Sequence, residues 1–410
     1  MSAPIFKEID SHGITDVPGF RASGVHCDVR QKGNDQLDLG IIFSENPCSV
    51  AGTFTRNRIK AAPVLKCMEL LDGDDPIHGV VANSGNANAC TGVEGLANAA
   101  AMTEQAEEYL CGQGGKLLVC STGRIGRQLP MKEVRKGVEL AVGHLTDDST
   151  GGKNFAKCIL TSDTREKKIT VVVESESGDS VTLAGVAKGA GMIRPDMATM
   201  LAFLATDLKI SQVDLQTELG LAVKTSFNAI TVDGDMSTND TVLCFANGVG
   251  SVNWNSASGS FKEAFREALD LVCKRLAKLI VGDGEKITKV VTLKIETAES
   301  ENSALEVAYA IAHSPLVKSS WAGSDPNWGR VVAAAGYSGV PVVENDLRMF
   351  YDDVLVFEKG LPVDVNLPKW QTVVDQKEFV IRLDLGMGEA SAELIASDLT
   401  PEYINFNMKE

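Results

Sequence analysis

Apolar and polar positions alternate along this chain in blocks that switch between two periods. Residues 78–83 (HGVVAN) and 116–121 (KLLVCS) are short apolar runs between polar segments, the pattern of buried strands. Between them, 94–111 is rich in Ala and Glu and reads as a helix. Pro130 suits a first helical turn and opens a second helix through MKEVRKGVELAVGHL. TDDSTGGKN (146–154) reads as a loop, and KKITVVVES with SVTLAGVA reads as a strand pair turning around Gly178. Beyond the apolar run 200–206, Ser211 with Asp214 predicts a capped helix over 212–228. Ser260 with Glu263 opens a longer one, in which Phe261, Phe265, Ala268, Val272, Leu276 and Leu279 recur at helical spacing until Gly282. Asp325-Pro326 reads as the cap of a short helix ending at Ala335. The last sixty residues read mainly as strands, with a hairpin around Gly386-Met387-Gly388. Helices mixed with strands and late antiparallel hairpins predict an α+β, layered architecture rather than a doubly wound sheet.

One segment breaks the alternation. In KGAGMIRPDMATMLAFLATD (188–207), Gly189, Gly191 and Pro195 rule out a regular helix, and a buried strand follows directly. Thr199 therefore sits where an irregular loop enters a rigid element. A strand would fix a reacting group there while the loop lets a ligand approach.

Composition narrows the functional classes. With 410 residues, 44% of them hydrophobic, two lobes are expected. A formal charge of −16, with no basic run to offset it, argues against a nucleic-acid groove. No apolar run reaches bilayer-spanning length, so no membrane association is expected. The segment MSAPIFKEIDSHG lacks a basic region followed by an apolar one, so no secretory signal is read and the expected compartment is cytoplasmic. Nine cysteines without CxxC spacing fit a reducing compartment, with Cys120, Cys244 and Cys273 read as buried thiols. The five histidines form no HxxxH or HxxE pair, so no metal site is read.

Several generic motifs fail on inspection. GAGMIR lacks the third glycine of a dinucleotide fingerprint, and Asp147 stands where a P-loop needs its first glycine. VDGDMSTND (232–240) begins like a calcium loop. It then has Thr238 at the sharp-turn glycine and Cys244 at the bidentate glutamate, so it reads as a turn whose Asp and Asn side chains satisfy backbone donors. None of the histidines flanks a nucleophile elbow.

The wording KG-A-GMI-x-P-x-MATML resembles the self-cleavage segment of the ornithine acetyltransferase (glutamate N-acetyltransferase) family of arginine biosynthesis. The resemblance extends over nearly the whole chain through GFRASG (19–24), GTFTRNR (52–58), NSGNANACTG (83–92), STG (121–123), VDGDMSTND, DGE (283–285), SPLVK (314–318) and DPNWGR (325–330). It implies an α/β/β/α arrangement built from both cleavage fragments, an α chain of residues 1–198 and a β chain of 199–410. The cut would fall between Ala198 and Thr199, making Thr199 the nucleophile. Cleavage also frees an α-amino group on the same residue. Its pKa near 7.7–8.0 leaves roughly a tenth neutral at pH 7, against about four parts in ten thousand for an unperturbed lysine. The amine is thus the better base for a weakly nucleophilic hydroxyl.

The same resemblance places Thr122 and Gly123 in an oxyanion hole, at the exit of the strand 116–121. Thr161, Lys188, Thr199, Glu285 and Asn407 match substrate contacts: Lys188 for a carboxylate, Glu285 for an ammonium. The implied reaction is ping-pong transfer of acetyl from N-acetylornithine to glutamate, without metal or organic cofactor, in a heterotetramer of two α and two β chains. Whether acetyl-CoA also serves as donor stays open. So do a related self-cleaving aminopeptidase or amidase, in which water takes the acyl group, and an unprocessed, non-catalytic homologue. Four departures from the family pattern stand out: Lys286-Ile287 in place of Gly-Ala, a chain ending at Glu410 without the Ser or Thr expected five residues after Asn407, Arg124 after STG, and Asp196 in place of Asn.

Overall fold

The computed structural model describes residues 6–112, 114–175, 178–194 and 200–408. Ala198 and Thr199, and with them the predicted cleavage site, lie outside the described residues, as does Asp196. The described chain divides into two compact units. The first draws on the segments Met1–Ala190, Asp196–Asn228 and Met236–Ile280, the second on Gly191–Pro195, Ala229–Asp235 and Val281–Glu410. The prediction of an α+β fold holds, as does that of more than one core.

In unit one the strands lie in the spatial order Phe6–Ile9, Lys167–Glu174, Ser180–Lys188, Leu201–Thr206, Thr241–Ala246, Leu39–Phe54, Ile77–Asn86 and Lys116–Arg124, with Phe20–Val25 also beside Leu39–Phe54. The long strand Leu39–Phe54 belongs to two sheet halves. Its first part pairs with Phe20–Val25 and Ile77–Asn86, its last part with Thr241–Ala246, and an irregularity between Phe43 and Cys48 separates them. Val186, Phe203, Ala205 and Phe245 from one half share a core with Ile41, Val81 and Leu118 from the other. On the opposite face of the first half, Gly185 and Leu204 meet Val272 and Leu276 of the helix Gly259–Val281. Helices Ala62–Leu71 and Gly92–Leu110 cover the strand Lys116–Arg124. The order helix, sheet, sheet, helix is thus the predicted layering, and it uses residues from both sides of position 199.

The segment 146–154, read as a loop, is mostly helix Ser149–Cys158. Asp148 caps it by accepting from the amides of Thr150 and Gly151. The adjacent glycines serve packing: a Cβ on Gly151 would lie 2.4 Å from the Ala22 carbonyl oxygen, and one on Gly152 2.4 Å from that of His12. The cap of the long helix is Ser258, whose Oγ accepts from the Phe261 amide, not Ser260.

Unit two holds a second sheet, ordered Leu361–Pro362, Val354–Glu358, Arg348–Tyr351, Glu378–Asp384, Val290–Ala298, Ala390–Ser397 and Ile230–Thr231. The turn at 386–388 does not make a hairpin. Glu378–Asp384 and Ala390–Ser397 flank Val290–Ala298, which pairs with both. The turn wraps the end of that central strand: the Thr297 carbonyl accepts from the amides of Met387 and Gly388 at 2.8 Å each. The last sixty residues also contain helices Leu367–Val374 and Pro401–Asn407, which the strand reading missed. Asn327, not Asp325, caps the helix Trp328–Gly336.

Candidate active site

In unit one the STG motif ends the buried strand Lys116–Arg124, as expected. Its positions are held from three directions. The Ser121 hydroxyl donates to Asn83 Oδ1 at 2.6 Å. Asn239 Nδ2 donates to the carbonyls of Ser121 (2.8 Å) and Ala87 (2.6 Å). Gly123 has φ +135°, and a Cβ there would lie 2.3 Å from the Gly85 carbonyl carbon of the neighbouring strand. Only glycine fits so close a backbone approach at that φ.

Thr122 is buried, and its Oγ1 lies 3.3 Å from Lys188 Nζ. Lys188 ends the strand Ser180–Lys188 and is the antiparallel register partner of Leu201. The residue two positions after Thr199 therefore pairs with Lys188. Thr161 is brought into the same cluster by Asp163, whose Oδ2 accepts from the Thr161 amide at 3.0 Å. Asp163 belongs to the TSDT block that Thr161 opens, but the sequence alone gives it no role. Burial pushes its pKa up, but the ammonium groups of Lys188 and Lys167, with the hydrogen bonds from Lys167 and Thr161, hold it below the ordinary carboxylate range.

The Asp and Asn side chains of VDGDMSTND bond backbone groups, as read, but these include carbonyl acceptors as well as amide donors and lie largely in other segments. In unit one, Asn239 pins STG, and Asp240 Oδ1 accepts from the Met200 amide at 3.1 Å. The GTFTRNR block holds the same stretch, with Thr55 Oγ1 donating to the Ser237 carbonyl and Asn57 Nδ2 to that of Met236. In unit two, Asp233 accepts from the amides of Met192 (2.6 Å) and Ile193 (2.8 Å). Burial raises the Asp233 pKa to about 6 against the lowering effect of the Asp235, Met192 and Ile193 amides. The sequence signal for these roles was only the density of short polar side chains.

Glu285 and Asn407, both in unit two, are brought together: Asn407 Nδ2 donates to Glu285 Oε2 at 3.1 Å and to the Tyr403 carbonyl. Gly191 makes room for that carboxylate, since a Cβ there would lie 2.5 Å from its carbon. The departure at Lys286 has a backbone consequence. Lys286 has φ +56°, a left-handed conformation that glycine adopts more readily, and its Nζ sits 5.3 Å from the ring centroid of Phe406. Its charge is thus directed at the helix that carries Asn407. Arg124 is exposed.

Among the described residues no group of three or more His, Cys, Asp or Glu could hold a metal ion. No described helix is long and apolar enough to cross a membrane. All nine cysteines are free, and Cys120, Cys244 and Cys273 are buried as predicted.

The sequence profile described as the ArgJ family matches residues 21–409. The arginine biosynthesis bifunctional protein ArgJ of Thermotoga neapolitana is 42% identical over 400 residues, covering 95% of this chain and 98% of that one. The protein of the same name from Geobacter sulfurreducens is 42% identical over 393 residues, covering 96% and 98%. Among solved structures, the ornithine acetyltransferase of Mycobacterium tuberculosis, complexed with ornithine, matches with 35% identity and a TM-score of 0.42, covering 47% of this chain and 98% of that one.

Proposed function

This chain belongs to the ArgJ family, and from that premise we propose that it is a self-processing enzyme moving acetyl from N-acetylornithine to glutamate. It is an N-acetyltransferase of arginine biosynthesis. One observation carries the mechanistic reading: Thr122, next to a glycine whose backbone admits close approach, lies 3.3 Å from a buried lysine that pairs in register with Leu201.

Cleavage between Ala198 and Thr199 yields the α chain 1–198 and the β chain 199–410. The freed amine of Thr199 takes the proton from its own Oγ, which attacks the acetyl carbonyl of N-acetylornithine. The Thr122 hydroxyl and the Gly123 N–H donate to the oxyanion, each such donor being worth roughly 3–4 kcal/mol in the transition state. Collapse returns the proton to the leaving ornithine amine. Glutamate then attacks the acetyl-Thr199 ester by the reverse sequence. Thr161, Lys188, Glu285 and Asn407 contact the substrate, Lys188 through a carboxylate and Glu285 through an ammonium. The motif match at each position supports these roles, and the Asn407–Glu285 bond supports a shared task for that pair.

We further propose an assembly of two α and two β chains acting in the cytoplasm. Free cysteines throughout support a reducing compartment. The bifunctional name of the relatives supports a second use of acetyl-CoA as donor.

The test is to incubate purified enzyme with N-acetylornithine, with and without glutamate. Ornithine release that depends on glutamate, matched by N-acetylglutamate, supports transfer. Ornithine and free acetate released at the same rate without glutamate support the aminopeptidase-like reading instead.

A further inference from the structure

Around Asp163, unit one collects more charge than a scaffold ion pair requires. The carboxylate is fully buried and so is Lys167, whose ammonium donates to Oδ1 at 2.6 Å. That pair already satisfies the charge of Asp163. A second ammonium, Lys188 Nζ, nevertheless lies 4.0 Å from Oδ2 with its side chain 3% exposed. The backbone on the far side of Lys188 is fixed by the same carboxylate, since Oδ1 accepts from the Gly189 amide at 2.7 Å. Asp163 thus holds Lys188 by its head group and by the next peptide.

What Lys188 does with that constraint follows from donor and acceptor chemistry. An ammonium has three donors and no acceptor. In the 3.3 Å contact with Thr122 Oγ1, Lys188 is therefore the donor and the threonine oxygen the acceptor. The hydroxyl hydrogen of Thr122 must then point to another acceptor. A hydroxyl that accepts from a cation is also a stronger donor through its own O–H, because successive hydrogen bonds polarise one another.

We propose that Asp163 is a positioning residue for acyl transfer: it fixes Lys188 so that the ammonium both polarises the Thr122 hydroxyl and turns its hydrogen toward the oxyanion. No proton changes owner in this arrangement. The hydrogen stays on Thr122 throughout, and the ammonium of Lys188 supports it while the tetrahedral intermediate exists. The inference rests on the reading of Thr122 as an oxyanion donor, and it adds a role for Lys188 beside contact with a substrate carboxylate.

A double-mutant cycle decides the matter. The variants are Asp163→Asn, Lys188→Met and Thr122→Val, singly and in pairs. Acetyl transfer is measured per mature β chain, counted by mass spectrometry. Each single change is expected to lower kcat about a hundredfold; KM should stay within about threefold for Asp163→Asn and Thr122→Val, and rise as well for Lys188→Met, which also loses its contact with the substrate carboxylate. Each pair should be no slower than its slower member by more than about threefold, because all three act through one hydrogen bond. Losses that multiply in the pairs, a Lys188→Met variant that raises KM alone, or an Asp163→Asn variant with parental kcat would each overturn the proposal. Where a variant fails to mature, the first-order rate of self-cleavage replaces kcat and the same coupling is expected, since cleavage also passes through an oxyanion. If Asp163→Asn fails to fold, the Lys188 and Thr122 pair is decisive by itself. The parent enzyme guards the underlying reading: without glutamate-dependent transfer in the parent, that reading fails whatever the cycle shows.

Discussion

The buried carboxyl of Asp240 holds the amide of Met200 at 3.1 Å, so the residue directly after Thr199 is tied down by an acid from a distant part of the chain. Burial raises the Asp240 pKa well above the ordinary carboxyl value. A carboxyl whose protonated form is favoured by burial can be tested against an amide of the same shape. Asp240→Asn, with its Oδ1 still accepting from Met200, is expected to keep near-parental stability and to self-cleave. Asp240→Ala leaves a buried N–H without its acceptor and is expected to lose about 1–3 kcal/mol and to cleave more slowly. Thermal denaturation and a time course of the intact band on gels report the two quantities. Equal damage from both substitutions would show that the charged form of Asp240 is the one that matters.

Asn239 serves STG more directly. Its amide nitrogen spans the carbonyls of Ala87 and Ser121, and it is buried. Asn239→Ala is expected to cost about 1–3 kcal/mol from two orphaned buried acceptors. It should also lower kcat at least tenfold, because the proposed oxyanion donors next to Ser121 lose their register. A variant with reduced melting temperature but parental kcat would confine Asn239 to stability.

Gly191 and Glu285 offer a steric test of substrate binding. In Gly191→Ala the new methyl would collide with the Glu285 carboxylate, which must move. The expected phenotype resembles that of Glu285→Ala: KM for the amino-acid substrates raised about 10- to 100-fold, as for loss of a charge-assisted hydrogen bond, with self-cleavage spared. Steady-state kinetics beside a maturation assay read both effects. Failure of Glu285→Ala to mature would mean that Glu285 also supports cleavage.

Asp233 gives a pH dependence of definite sign. A carboxyl in the unfolded chain titrates near 3.9, whereas the folded value is about 6. Between those values the folded state holds more protons than the unfolded state. This group's contribution therefore makes stability fall as pH rises from about 4 to 6 and stay level above that. The size is on the order of 1–3 kcal/mol. Urea denaturation across this range should show the decline in the parent and a flatter profile in Asp233→Asn. An unchanged slope in the variant would assign the pH dependence to other groups.

Much of the scaffold was legible because its signals are local. The runs 78–83 and 116–121 and the spacing from Phe261 to Leu276 each report one element and its buried face. Errors arose where tertiary packing overrides local preference. Gly151 and Gly152 weaken the helix signal of 146–154, because glycine is a poor helix former, but they are needed for close approach to neighbouring backbone. The turn at Gly386 suggested a hairpin, and nothing local reveals that Val290–Ala298 lies between the two strands. The site shows the same division. STG and the KGAG segment stand out in the sequence by their wording and by their glycines. The roles of Asp163 and Asn239 become visible only once the fold brings their partners to them from up to 152 residues away.

In the proposed mechanism an internal peptide bond is cut so that Thr199 supplies both hydroxyl and base. Mass spectrometry of the purified, active protein tests this most directly, with the Thr199→Ala variant as control. The predicted result is two masses that sum to the intact chain plus one water, the second fragment beginning at Thr199, and a single uncut, inactive chain in the variant. Full acetyl transfer by a chain that carries only its original terminus would contradict it.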